Sequence, residues 1–269
     1  MSIILTTTLV LGAVGLVCGV ALAVVAKKFA VPENPLVSHI LAALPGANCG
    51  GCGFPGCDGY AHAVAENGAP LTLCTACTAE MLAELERITG RKGGEVAERK
   101  VALVRCAGDF DAAKRRFDYN GLADCASVQS SNGGDKSCLF GCLGYGTCER
   151  ICPNKAITVV NGLARVDPAK CVGCGACVRG CPRHVIELVP VSHTVHVLCN
   201  SPEKGPVVKK VCNTGCLGCR LCTKLAPDGA FAVNGFLAAV DYAKPPVSPE
   251  VVATLVAKCP GHCIQMSKQ

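Results

Sequence analysis

The chain opens on an uninterrupted apolar run. Residues 2–26, SIILTTTLVLGAVGLVCGVALAVVA, carry no charge, and at about 1.5 Å per residue a helix of this length crosses the hydrocarbon core of a bilayer. Lys27 and Lys28 follow at once, with no basic side chain before the run. That asymmetry predicts a single-pass anchor over residues 1–28, amino terminus outside and all later residues on the cytoplasmic side of a bacterial or archaeal inner membrane. A cleaved signal sequence fits less well, because a basic n-region is missing, the run exceeds an h-region and export would oxidise a cysteine-rich remainder. Cys18, inside the run, reads as a small hydrophobe and not as a ligand.

After the anchor the pattern shortens. Pro32 and Pro35 break the helix, residues 58–67 and 78–89 have helical composition with Gly90 as a stop, and Lys100 to Arg105 reads as a short strand. These elements predict a membrane-proximal domain over residues 36–126. The polar stretch SVQSSNGGDKS, residues 127–137, reads as a flexible linker. Beyond it the chain repeats at an offset of 74 residues. Cys125, Cys138, Cys142 and Cys148 fall on Cys199, Cys212, Cys216 and Cys222, Pro153 falls on Pro227, and AITVVNGLARVD falls on AFAVNGFLAAVD. Each of the latter is a strand pair about an Asn-Gly turn, one residue out of register between the copies. The predicted fold class is α+β: one transmembrane helix, a 4Fe–4S domain, and two ferredoxin-like repeats at 138–192 and 199–269, the second degenerate.

Composition decides what holds such small units together. The chain has 23 cysteines and no Trp among its 269 residues, so metal or disulfide bonds must supplement a modest core. An odd count packed into C-x2-C runs suits metal centres in a reducing compartment, since cysteines so close in sequence would need distant, strained partners to form bridges. The net charge of +6, without aromatic residues interleaved among the basic ones, makes no case for nucleic acid.

The run Cys171-x2-Cys174-x2-Cys177-x3-Cys181-Pro182 is the bacterial ferredoxin spacing, in which three cysteines hold one cluster and the fourth ligates its neighbour. Structural zinc usually takes two separated C-x2-C pairs instead. A matching set upstream has Cys142, Cys148 and Cys152-Pro153, with Tyr145 in the fourth place and Cys138 as the available substitute. The expected ligand sets are therefore Cys138, Cys142, Cys148 and Cys181 for one cluster and Cys152, Cys171, Cys174 and Cys177 for the next. In the second copy Cys216, Cys219 and Cys222 remain, Ala226 replaces the cysteine before the proline, and residues 245–258 carry no second motif. One cluster is expected there, on Cys216, Cys219, Cys222 and Cys259, with Cys212 competing for the last place. Cys49, Cys52, Cys57 and Cys74 in the membrane-proximal domain make a fourth, with glycines that let backbone amides approach the sulfurs. Four [4Fe–4S] clusters are expected, within a range of three to five. Cys77, Cys106, Cys125, Cys199 and Cys263 read as buried thiols or reserve ligands, and His39, His62, His184, His193, His196 and His262 as surface or packing residues.

On NCGGCGFPGCDGYA with Cys74, VRCAG, KSCLFGCLGYGTCERICPNKAI, CVGCGACVRGCP and VVKKVCNTGCLGCRLC, in that order behind an apolar span, the chain resembles the B subunit of the Rnf complex, the membrane-bound ion-translocating ferredoxin:NAD oxidoreductase. The resemblance implies electron transfer from soluble ferredoxin through the clusters to integral-membrane and flavin-bearing subunits, and on to NAD. It departs at Ala226 and residues 245–258, where some members have a further cluster motif. No catalytic residue is expected in this chain: one-electron transfer needs no general acid or nucleophile, no glycine fingerprint for a dinucleotide follows a strand, and the span holds no charge to carry ions. Rival readings are a membrane-held donor to another redox enzyme such as nitrogenase, and an iron–sulfur redox sensor. Lys204, Lys209, Lys210, Arg220 and Lys224, near the last cluster, form a candidate dock for an acidic ferredoxin.

Overall fold

The computed structural model describes residues 2–28, 34–226 and 229–266. Pro32, expected to break the first helix, and Pro227, expected to match Pro153, lie outside the described residues. Helix α1 (Ser2–Lys28) is apolar all round, and from Ile4 onward it is exposed along its length. A helix that buries no face in its own protein and ends on Lys27 and Lys28 fits a single membrane span.

Three helices build the next unit. Helix α2 (Pro35–Ala43) starts on Pro35 at the position where its missing N–H costs nothing, and Asn34 caps it by accepting from the Leu36 amide. Helix α3 (Gly56–Glu66) and α4 (Ala79–Thr89) pack on α2. Thr78 caps α4 and Gly90, left-handed at φ 67°, ends it. Ile40, Ala61 and Leu85 are fully buried between them, and the Tyr60 hydroxyl donates to the Pro70 carbonyl from inside this core.

Strand β1 (Lys100–Val104) does not belong to that unit. It pairs antiparallel with β4 (Ile186–Pro190), from Lys100 opposite Pro190 to Val104 opposite Ile186. A strand with Val101, Ala102 and Val104 buried needs a partner for its amides, and no other strand lies between residues 36 and 126 among the described residues. The predicted boundary at 126 is therefore corrected to the stretch before Lys100. The expected linker is corrected too. Residues 127–130 continue α5 (Cys125–Ser130), capped by Asp124, which accepts from the Ala126 and Ser127 amides. Val128, Asp135 and Lys136 are buried, and Asn132, Gly133 and Gly134 make a tight left-handed turn. The Ser, Asn and Gly residues that read as flexibility serve as caps and turns.

Residues 100–190 thus form one module: β1, α5, α6 (Thr147–Arg150), the hairpin of β2 (Ile157–Val160) and β3 (Leu163–Val166), α7 (Ala176–Gly180), and β4 returning beside β1. The same order recurs as β5 (Val195–Val197), α8 (Gly205–Val211), α9 (Leu221–Leu225), the hairpin of β6 (Phe231–Asn234) and β7 (Leu237–Val240), α10 (Pro249–Lys258), and β8 (Ile264–Met266) beside β5. The hairpins keep the offset of 74. Their turns differ by one residue, with left-handed Asn161 and Gly162 in one and left-handed Gly235 at the first position of the other. The outer strands do not keep that offset. The Arg105 amide bonds to the Val185 carbonyl as the Leu198 amide bonds to the Cys263 carbonyl, so Cys199 is the counterpart of Cys106 and not of Cys125.

Candidate iron–sulfur sites

Short loops, tight turns and very short helices place the thiols. In the first module Gly173 and Gly175 are left-handed, and Cys171, Cys174 and Cys177 line one small apolar cavity with Cys152. The Ala102 amide donates to the Cys171 sulfur at 3.4 Å and the Ala156 amide to the Cys152 sulfur at 3.3 Å. Such N–H···S contacts stabilise charge on a thiolate. All four expected residues line this cavity.

A second small cavity is lined by Cys125, Cys142, Cys148 and Cys181. Cys138, expected here, is not among its lining residues, and Cys125 takes its place. The reason is local. Asp124 caps α5, the Thr147 hydroxyl accepts from the Cys125 amide at 2.9 Å and donates to the Asp124 carboxylate at 2.7 Å, and together these hold the first residue of the helix against the loop of Cys148. Tyr145, in the motif's empty place, turns away and donates to Asp135 at 2.9 Å.

In the second module Cys216, Cys219, Cys222 and Cys259 line a small cavity together with Cys263. The Ala238 amide donates to the Cys216 sulfur at 3.3 Å. Cys212 is absent from that lining. Cys263 sits 3.8 Å from the Cys259 sulfur, and as a hydrogen-bond donor it holds Cys259 down to about 5 and Cys216 down to about 6, its own thiol being pushed up. Where the second motif is missing, Ala226 packs with Val252 and Leu255 of α10 in one apolar core.

In the N-terminal unit, burial pushes Cys74 up to about 11, assisted by the charges of Cys77, Cys52 and Cys49. Asn48, left-handed at φ 46°, accepts from the Cys57 amide at 2.8 Å. The Thr75 hydroxyl is buried without a partner. A donor stranded beside Cys74 fits the sulfide face of a cluster. Burial likewise raises Cys148 to about 12, and Cys177 and Cys222 each to about 11. Thiolates in such places need metal cations beside them. Among the described residues no three His, Cys, Asp or Glu side chains converge on a single ion.

The N-terminal site abuts the first module. A Cβ on Gly51 would lie 2.9 Å from the Cys174 Cα and 2.9 Å from the Thr75 hydroxyl. Substitution of Gly51 by Val is expected to destabilise this contact by about 1–3 kcal/mol, as overpacking does elsewhere. Iron content should be unchanged while the urea midpoint of the N-terminal unit drops; an unaltered midpoint would show that the contact is slack.

Of the histidines, His193 and His196 are buried against the Tyr242 ring, and His196 hydrogen-bonds the Tyr242 hydroxyl at 3.0 Å. The offset of 74 ties Cys125 to Cys199 and so hides its place beside Cys142, Cys148 and Cys181. The signal that points to it is the capping pattern Asp124-Cys125 ahead of a short helix.

Comparison with known proteins agrees with this chemistry. A family described as "Putative Fe-S cluster" matches residues 44–76, and the LdpA Fe-S cluster-binding domain family matches residues 144–192. Over 256 residues the chain is 41% identical to the B subunit of the Na(+)-translocating ferredoxin:NAD(+) oxidoreductase complex of Acetobacterium woodii, covering 95% of this chain and 75% of that one. It is 42% identical over 267 residues to the B subunit of the proton-translocating ferredoxin:NAD(+) oxidoreductase complex of Clostridium ljungdahlii, covering 98% and 93%. Over 266 residues it is 38% identical to the B subunit of the ion-translocating oxidoreductase complex of Methanosarcina acetivorans, covering 98% and 99%.

Proposed function

The chain belongs to the family of B subunits of ion-translocating oxidoreductase complexes, the Rnf family, and on that premise we propose that it accepts electrons from reduced ferredoxin and relays them toward the flavin-bearing subunits and NAD. Its iron–sulfur electron-transfer role follows from the family and from the matched cluster domains. The finer reading assigns [4Fe–4S] clusters to four sites: Cys49, Cys52, Cys57 and Cys74; Cys152, Cys171, Cys174 and Cys177; Cys125, Cys142, Cys148 and Cys181; and Cys216, Cys219, Cys222 and Cys259. The two middle sets cross between the motifs of one ferredoxin-like module, and the degenerate second module keeps one. Each cluster passes single electrons; the protein's part is to hold neighbouring clusters close, donate amides to their sulfurs and exclude water.

The observation that carries this reading is the convergence of thiols from separate parts of the chain on apolar cavities at three of the four sites. Helix α1 anchors the relay with its lysines, and hence the clusters, on the cytoplasmic side. The entry point lies in the second module, where Cys219 is exposed at the mouth of its cavity beside exposed Arg220 and Lys224, with Lys204, Lys209 and Lys210 exposed on the same module. Charge there steers an acidic ferredoxin. The anaerobic protein, mixed with reduced ferredoxin, is expected to bleach in its cluster absorption. Charge reversal by Lys209→Glu and Lys210→Glu should slow this about tenfold at low salt and remove most of its salt dependence. An unchanged rate and salt dependence would place the dock elsewhere, and no bleaching in the unaltered protein would end the ferredoxin reading.

A further inference from the structure

Four cysteines outside these sets meet where the two modules join. Cys106 follows β1 and Cys138 precedes Cys142 by four residues; Cys199 follows β5 and Cys212 precedes Cys216 by four. Each module thus contributes the same pair from the same two places in its fold. The seam between them is backbone-bonded: Ala113 bridges to Cys212, the Lys114 amide bonds to the Val211 carbonyl and the Asn213 amide to the Ala112 carbonyl.

The sulfurs are neither bonded nor scattered. All four cysteines are free. A Cβ on Gly141 would lie 3.2 Å from the Cys106 sulfur and 3.5 Å from that of Cys138, and one on Gly108 would lie 3.2 Å from the Cys212 sulfur and 3.7 Å from that of Cys106. Those pairs of sulfurs therefore stand within the breadth of one cubane cluster. Cys199 stands at the place in the second module that Cys106 holds in the first, directly after the outer strand's last bonded amide. The Gly108 amide donates to the Cys106 sulfur at 3.4 Å, the same N–H···S contact found in the other sites. We propose that Cys106, Cys138, Cys199 and Cys212 hold a further [4Fe–4S] cluster, shared between the two modules.

A second observation points the same way. Lys136 is 1% exposed, and its ammonium donates to the carbonyls of Gly108 and Gly162 at 2.8 and 2.7 Å and lies over the Phe110 ring. The neighbouring carboxylate, Asp135, gives one oxygen to Arg115 and Tyr145, and its other oxygen is buried without a partner. A buried cation needs a counter-charge, and the positive charge of Lys136 acts on both Cys106 and Cys142. Thiolate-ligated clusters on these two residues would supply it from either side.

The position has a consequence for the relay. Gly141, directly before Cys142, would bring an added Cβ against the Cys106 and Cys138 sulfurs, and Gly215, directly before Cys216, would bring one to 4.0 Å from the Cys212 Cβ. Cys142 and Cys216 are ligands of the flanking clusters in the reading above, so the shared site stands one peptide group from each. It joins the second module to the first, where otherwise the electron would cross the seam unaided.

The inference rests on the iron–sulfur reading but fails separately from it. Native mass spectrometry of the anaerobic full-length protein in detergent should give about twenty iron atoms per chain, against about sixteen without this site. The variants Cys106→Ser and Cys212→Ser, one from each module, should each lose about four and leave the rest. About sixteen in the unaltered protein, or no loss in both variants, would overturn the shared cluster alone; a protein without iron would overturn the whole reading. Should the variants fail to fold, alkylation of the unaltered protein before and after iron chelation decides. Protection of the four thiols that is lost on chelation supports the site, and ready alkylation in the iron-replete protein refutes it.

Discussion

Anaerobic removal of iron is expected to abolish the cooperative unfolding transition of residues 100–266 and most of their secondary structure. The helices around the cluster sites, α6, α7 and α9, are four or five residues long, far below the length at which a helix holds in water. Among the described residues every sheet has two strands, and an isolated strand pair is marginal. The two module cores are made largely of Val, Ala and the cysteines themselves. A structural metal contributes on the order of 10 kcal/mol, comparable with the whole stability of a small domain. In contrast, α2, α3 and α4 are 9–11 residues long and share a core in which Ile40, Ala61 and Leu85 are fully buried. They and α1 should keep part of the far-ultraviolet circular dichroism after chelation. A urea transition of unchanged midpoint and amplitude in the iron-free protein would contradict the view that the clusters hold these modules together.

Replacing Cys125 by Ser should cost up to about four iron atoms and erase the magnetic interaction between the paired clusters of the first module in the reduced protein. Cys138→Ser should leave that interaction in place, because the cavity holding Cys142, Cys148 and Cys181 is closed by Cys125. Electron paramagnetic resonance of the two variants separates the alternatives. Loss of the interaction in Cys138→Ser with its retention in Cys125→Ser would restore the assignment that motif spacing alone favours. The expected effect is large because a buried site with three thiolates leaves one iron without a protein ligand, and Tyr145, already bonded to Asp135, is not poised to replace it.

The amino-acid order alone determined whatever depends on neighbours in the chain. Residues 2–26 read as a span because hydrophobicity over such a length needs no partner to be interpreted. Cys171, Cys174 and Cys177 read as one half of a site because a short loop with Gly173 and Gly175 must curl its thiols inward. The hairpins 157–166 and 231–240 were legible from their turn residues. Tertiary structure decided the rest. Strand β1 lies some eighty residues from β4, and only their pairing moves Lys100 to Val104 out of the N-terminal unit and carries Cys106 to the seam. Cys125 sits well outside the motif, and only the capped start of α5 brings it to Cys148. The stretch 127–137 has a composition shared by linkers and by tight caps and turns, and what separates the two is the burial of Val128, Asp135 and Lys136. Spacing reports on loops closed by a few residues. Thiols that converge from the ends of separate strands leave no such periodic trace, because their proximity is set by strand register and by the packing of one module on another.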